Sequence, residues 1–263
     1  MPVGAVEMKN QKKIRYYKSF TDDFTVAKNQ NYRIDENYRW IRTDFLSRLK
    51  SKLIYATAII VSFVIYRVIK GVKIKGIEKL KPYKNSGVFL FGNHTQPVAD
   101  VFLPALAMFP KRIYTVASPA NLSIPVIGKI LPYLGALPLS NTIKGTVKLK
   151  EAIDVRLSEN ACIVIYPEAH VWEYCDFIRP FPETSFKFPV TADKPSFSVT
   201  TTYQKRKFFK KPKITVFIDG PFFVADSGSI RQKTSDLHGR IFETMKNRSR
   251  NNTCCYIEYK KAD

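Results

Sequence analysis

The stretch from Gly87 to Asp100 constrains this chain more than any other. Val88 to Phe91 is apolar at every position and reads as a short buried strand. Gly92 and Asn93 break it, so His94 falls on the loop at the strand's end. In α/β folds ligands favour the carboxyl ends of strands. Asp100 follows six residues later, at the start of a second apolar run, Val101 to Met108. A histidine with a carboxylate partner is the simplest general-base unit, because the acid fixes the ring tautomer and favours the imidazolium that forms. The same residues also fit a solvated loop histidine and a helix-capping aspartate, and spacing alone leaves both readings open.

The chain has 263 residues, 45% of them hydrophobic, enough to bury a core. Its formal charge of +21 calls for an anionic partner: nucleic acid, an acidic substrate, or a negatively charged membrane face. No zinc-finger spacing, ribonucleoprotein box or basic zipper supports nucleic acid. Cys162, Cys175, Cys254 and Cys255 make no metal pattern and lack a nucleophile context. They are expected as reduced packing residues, with no cleavable signal peptide ahead of them.

Residues 1–35 are polar and basic and are expected as a loose arm lying on the domain or on lipid headgroups, with a solvated tail as the alternative. Asn37 to Ile69 reads as one long helix of two characters. Trp40, Ile41, Phe45, Leu46, Leu49 and Leu53 form a stripe among basic residues. Leu53 to Tyr66 is then apolar or small on every side, fourteen residues against the roughly 20 needed for a full crossing. Insertion from one face is the favoured reading; a tilted single span and a buried core helix are the alternatives. A strand and turn are expected over Gly71 to Leu80, and strands at Arg112 to Ala117, Ala161 to Tyr166, Phe197 to Tyr203, Ile214 to Ile218 and, at an edge, Cys254 to Tyr259. Helices are expected at Val101 to Met108, Thr146 to Leu157 and Ser229 to Ser249. The run Lys205 to Lys213 mixes six basic residues with Phe208 and Phe209. An exposed loop and a contact with an anionic membrane surface both fit it.

Taken together, three segments resemble the glycerolipid acyltransferases of the lysophosphatidic acid acyltransferase type. Asn93, His94 and Asp100 resemble the first block of that family, which has Asn-His, four residues, then Asp. Here five residues intervene, and a bulge around Pro97 would absorb the extra one. Ile124, Pro125, Gly128 and Gly135 to Leu139 resemble the second block, which ends in an arginine that contacts the acceptor phosphate; Asn141 stands at that position. Tyr166, Pro167 and Glu168 resemble the third block, followed by Ala169, His170 and Val171 where the family has Gly, a hydroxyl residue and Arg. Taken alone, the second segment also fits a Pro/Gly-punctuated connector between strands.

The resemblance implies an α/β fold: a single domain over residues 71–263 with a central, mostly parallel mixed sheet flanked by helices, preceded by a membrane-associated helix over residues 36–70. It also implies fatty acyl transfer from a thioester, acyl-CoA or acyl carrier protein, to a lipid hydroxyl, most simply 1-acyl-sn-glycerol-3-phosphate. His94 would take the hydroxyl proton and Asp100 would orient His94. Glu168 would hold the acceptor or the loop around it, and Asn93, Asn141 and His170 line the same segments. With both family arginines replaced, Arg179, Lys144 or Lys187 are the candidates for the phosphate. No metal and no cofactor beyond the thioester co-substrate are expected, although His94, His170 and Glu168 are in principle ligand types. The expected partners are membrane lipids and the acyl carrier, not nucleic acid. The expected location is the cytoplasmic face of the cell membrane, monotopic or single-pass. A catalytically inactive membrane-binding member of the same fold, and an enzyme acting on a non-phosphorylated acceptor, are the alternative readings.

Overall fold

The computed structural model describes residues 13–24, 29, 31–96 and 100–262. Its elements run in chain order as β1 (Lys13–Tyr17), α1 (Phe45–Phe63), β2 (Lys73–Lys75), β3 (Val88–Gly92), α2 (Phe102–Met108), β4 (Ile113–Ala117), α3 (Ile127–Leu134), β5 (Ala136–Pro138), α4 (Ile143–Ser158), β6 (Cys162–Ile165), α5 (Lys187–Ala192), β7 (Ser196–Gln204), β8 (Lys213–Phe222), α6 (Ile230–Ser249) and β9 (Ile257–Lys261). Seven of the described strands form one sheet in the order β2-β8-β7-β3-β6-β4-β5. Every neighbouring pair is parallel except β7 with β8.

The central strand explains the arrangement. Val88 and Leu90 of β3 point into one apolar cluster, and Phe89 and Phe91 into the other. A strand apolar on both faces must be covered on both. One cover is α4, α5 and α6, through Leu149, Ile153, Val190, Leu237 and Ile241. The other is α2 and the inner face of α1, through Leu103, Met108, Tyr55 and Ile59, with Tyr66 just past the end of α1. The result is the expected mostly parallel sheet between helices. Because β3, β6, β4, β5 and β7 run the same way, the loops after all five leave by one edge.

Three stretches differ from expectation. The long helix begins at Phe45, not Asn37: Asp44 caps it by accepting from the Ser47 amide at 2.9 Å. Residues 37–43 belong to the domain instead, with Trp40 buried and its Nε1 donating to the Pro138 carbonyl at 2.9 Å. The N-terminal arm is not loose where it is described. There β1 pairs with β9 in a separate two-stranded parallel sheet, and Arg15 is ion-paired to Glu173. The last strand accordingly lies off the main sheet and starts at Ile257. Lys9 and Lys12, part of the expected basic arm, lie outside the described residues.

Past Phe63 the helix continues as a π-helical turn, Val64–Ile69, so that Phe45–Ile69 is one 25-residue rod, long and apolar enough to cross a membrane. It is nevertheless tied to the domain near both ends. Ser51 Oγ donates to the Tyr133 carbonyl at 2.7 Å, and Arg112 packs its guanidinium 3.9 Å from the Tyr55 ring centre. At the far end Tyr66 is fully buried. The outer face is left bare, with Phe45 76%, Ile60 65% and Val68 67% exposed.

Candidate active site

His94 is the first residue the site needs, and five neighbours hold its loop. Asn93 is buried and imitates a strand residue: its amide donates to the Thr201 carbonyl at 3.0 Å and its oxygen accepts from the Thr201 amide at 2.8 Å. The His94 amide donates to Glu168 Oε2 at 3.1 Å, and its carbonyl accepts from the Trp172 amide at 3.0 Å. The Thr95 carbonyl accepts from the Tyr174 amide at 2.8 Å and from the Tyr203 hydroxyl at 3.1 Å. A loop satisfied at nearly every backbone group keeps its side chain in one place.

The acid partner meets the ring. Asp100 Oδ2 lies 3.0 Å from His94 Nδ1 and also accepts from the amides of Thr95 at 3.0 Å and Gln96 at 3.2 Å. The extra residue in the first block therefore does not turn Asp100 away. How residues 97–99 absorb it, including the proposed bulge at Pro97, lies outside the described residues. Since Asp100 occupies Nδ1, Nε2 is the nitrogen left to reach a substrate. The ring stacks on Tyr166, 4.4 Å between centroids and 24° between planes. Tyr166 in turn donates its hydroxyl to the Asp100 carbonyl at 3.0 Å. Burial, then the Asp100 charge, holds the Tyr166 phenol well above its usual range, so it stays a donor. Gly92 permits the stack, because a Cβ there would come within 2.8 Å of the Tyr166 ring.

Glu168 stands at the end of β6, beside β3 and parallel to it, as the sequence predicts. Its carboxylate faces inward. Besides the His94 amide it accepts from the Arg179 amide at 2.9 Å and from the Arg179 guanidinium at 3.0 Å. This corrects the expectation for Arg179. Its side chain is enclosed, donates also to the His170 and Phe20 carbonyls, and lies 4.6 Å from the Trp172 ring centre. A guanidinium so engaged cannot also clamp a phosphate.

The other candidates scatter. Asn141 accepts from the Ile34 amide at 3.2 Å and donates its own amide to the Ile34 carbonyl at 3.0 Å, so it fastens the N-terminal segment. His170 Nδ1 turns to Asp23 Oδ2 at 3.3 Å, away from His94. Lys144 is exposed on the first turn of α4, within electrostatic range of Glu36, and Lys187 is exposed on α5. No group of three or more His, Cys, Asp or Glu side chains among the described residues could hold a metal ion.

Sequence reasoning missed several parts of the site. The Thr95 and Gln96 amides carry no side-chain signature. Tyr203, whose hydroxyl bonds Thr95 Oγ1 at 2.7 Å and receives Gln96 Nε2 at 2.7 Å, sits more than a hundred residues away in the chain. Lys70, at the end of the long apolar helix, carries no signature of a site residue in the sequence, yet its Nζ lies 3.4 Å from Gln96 Oε1.

An apolar groove of about 410 Å³ runs between α1, α2 and α3, lined among others by Leu53, Ala58, Ile65, Tyr66 and Phe102. Phe102 is two residues from Asp100, and Tyr66 lies within electrostatic range of it.

The fold has a solved counterpart in the 1-acyl-sn-glycerophosphate (LPA) acyltransferase PlsC from Thermotoga maritima, with a TM-score of 0.51 at 15% identity, covering 80% of this chain and 97% of that one. No curated protein matches by sequence. The acyltransferase family matches residues 71–202, which hold the His94, Asp100 and Glu168 constellation just described. A buried α/β strand delivering His94 to Asp100, together with that match over half of its length, places the chain in the acyltransferase family.

Proposed function

We propose that the protein transfers a fatty acyl group from a thioester, acyl-CoA or acyl carrier protein, to the free hydroxyl of 1-acyl-sn-glycerol-3-phosphate. The 3.0 Å contact of His94 Nδ1 with Asp100 carries this reading. It leaves Nε2 as the base, and it disfavours an inactive member of the fold. Nε2 takes the hydroxyl proton as the oxygen attacks the thioester carbonyl. The tetrahedral adduct collapses with loss of the thiolate, which recovers the proton from the imidazolium. The carboxylate of Asp100 balances the imidazolium in between. Glu168 acts by holding the His94 amide and the Arg179 segment, not by touching substrate. The apolar groove beside Tyr66 and Phe102 suits an acyl tail.

Docking near both ends of the Phe45–Ile69 rod favours a helix lying in one leaflet over one that crosses it. Thioester donors are cytosolic, which puts that leaflet on the cytoplasmic face. Labelled acyl thioester offered to purified protein with a panel of lipid alcohols tests the activity. Transfer to the phosphorylated monoacylglycerol above all others is expected, and no transfer to any acceptor defeats the proposal. The helix reading has its own test. Ile60→Ser with Val68→Ser on the bare face should shift the protein from vesicles to solution by roughly thirtyfold, since each removes ~1 kcal/mol or more of apolar transfer. Unchanged vesicle binding would remove the bare face from membrane contact.

A further inference from the structure

We infer that Lys70, with Arg206 and Lys211, forms the site that takes the phosphate monoester of the acyl acceptor. This rests on the acyl transfer proposed above and takes the place of two of the sequence candidates, Arg179 and Asn141, which the structure commits elsewhere. Arg179 is sealed against Glu168, and Asn141 is spent on Ile34.

The backbone brings Lys70 to the site by an unusual route. The π-helical turn closes with the Lys70 amide on the Ile65 carbonyl at 2.9 Å, and Gly71 then takes φ +61° so that the Val72 amide reaches the Tyr66 carbonyl at 2.8 Å. This sharp exit buries Tyr66 and lays the Lys70 ammonium 4.4 Å from its ring centre. The same ammonium reaches Gln96, whose amide binds Asp100. Lys70 is thus half-buried beside the catalytic pair and held there by a neutral side chain and a ring face.

More positive charge converges on it. Arg206, from the loop after β7, donates its guanidinium to the Lys70 carbonyl at 2.7 Å. Lys211, on the same loop, is close enough that its charge opposes that of Lys70. Burial, first, pushes the Lys70 ammonium below its ordinary value; Asp100 pulls it back up, and Lys211 adds to the depression. None of the ion pairs among the described residues engages Lys70, Arg206 or Lys211. Asp100 offsets only part of the repulsion among three cations gathered at this partly buried site, and a doubly charged phosphate relieves the rest. Lysine serves such a ligand as a point charge, and Arg206 can add a forked contact.

Two measurements test the assignment in neutral detergent micelles, where no anionic headgroup competes. The first compares two acceptors that differ only in the phosphate, 1-acylglycerol 3-phosphate and 1-acylglycerol, with acyl-CoA as donor. Lys70→Gln should raise the KM for the phosphorylated acceptor about 10–100-fold, the scale of a lost charge-assisted hydrogen bond. The KM for acyl-CoA should not follow, and Lys70→Arg should restore most of the loss. Lys211→Gln, on an exposed loop where folding is not at risk, should raise the same KM about threefold or more. Lys246→Gln on the surface of α6 should do nothing. Equal losses with both acceptors, a shift in the acyl-CoA KM instead, or no shift with either variant overturns the assignment. The second measurement needs no turnover: sn-glycerol 3-phosphate is titrated into wild type and Lys70→Gln. Binding at least tenfold tighter to wild type supports the site; equal or absent binding overturns it. Wild type that binds glycerol phosphate yet acylates nothing would sink the proposed reaction and leave the anion site standing.

Discussion

Two acid–base pairs stand side by side on one edge of the sheet, and they are built for opposite purposes. His94–Asp100 joins a partly open ring to a buried acid, with side-chain exposures of 18% and 3%. Glu168–Arg179 joins two groups exposed 1% or less. In the first pair the acid is satisfied by the backbone as well as by the ring, so the ring can act without the loop moving. In the second pair the Arg179 amide and both terminal guanidinium nitrogens are aimed at the carboxylate or a carbonyl, and the carboxylate itself binds the His94 amide. One pair carries a reactive nitrogen. The other fixes the loop on which that nitrogen rides.

The contrast is broken most directly by removing one member of each pair. His94→Ala should lower acyl transfer by about 10²–10⁴-fold, the usual worth of a positioned general base. Its melting temperature should stay within a few degrees of wild type, because the Thr95 and Gln96 amides still satisfy Asp100. Turnover at the wild-type rate would dismiss His94 as the base. Glu168→Gln should do the reverse, losing about 3–5 kcal/mol in denaturant unfolding by leaving the Arg179 guanidinium buried without its counter-charge. Its activity should fall only as far as the loop loosens. Replacing both, Glu168→Gln with Arg179→Met, should recover part of the stability. A double variant as unstable as the sum of the singles would show that the pair is not coupled.

How much of this was legible in the chain depends on the range over which each signal acts. The apolar run of β3 and the Gly-Asn break after it are local, and they placed His94 at a strand mouth without help. The parallel sheet followed from short apolar runs alternating with helical periods. The helix start was misjudged because the Trp40 and Ile41 side chains fit the helical stripe of the residues that follow. Only the Asp44 cap and the reach of Trp40 to Pro138 decide otherwise, and the second is a tertiary fact. Arg179 was misread for the same reason: an arginine near a site resembles a phosphate clamp until its partner is seen. Lys70 gave no signal because its importance arises from a π-helical turn and a left-handed glycine, neither of which a hydrophobic period records.

Asn93 gives the finest test of the difference between acting and holding, since it sits next to the base and touches no proposed substrate. Its side chain replaces a strand ladder, donating to and accepting from Thr201 of β7. Asn93→Ala leaves the buried Thr201 amide and carbonyl without those partners, at a cost of about 1–3 kcal/mol. That is less than the loss at Glu168, because no charge is stranded. If Asn93 only holds the loop, then activity and stability must fall together. Restoring stability with an osmolyte, which favours the folded state without replacing any contact at the site, should then recover most of the turnover. A variant that regains its stability but remains more than about tenfold slow would instead put Asn93 on the side of His94, as a group whose position the reaction itself requires.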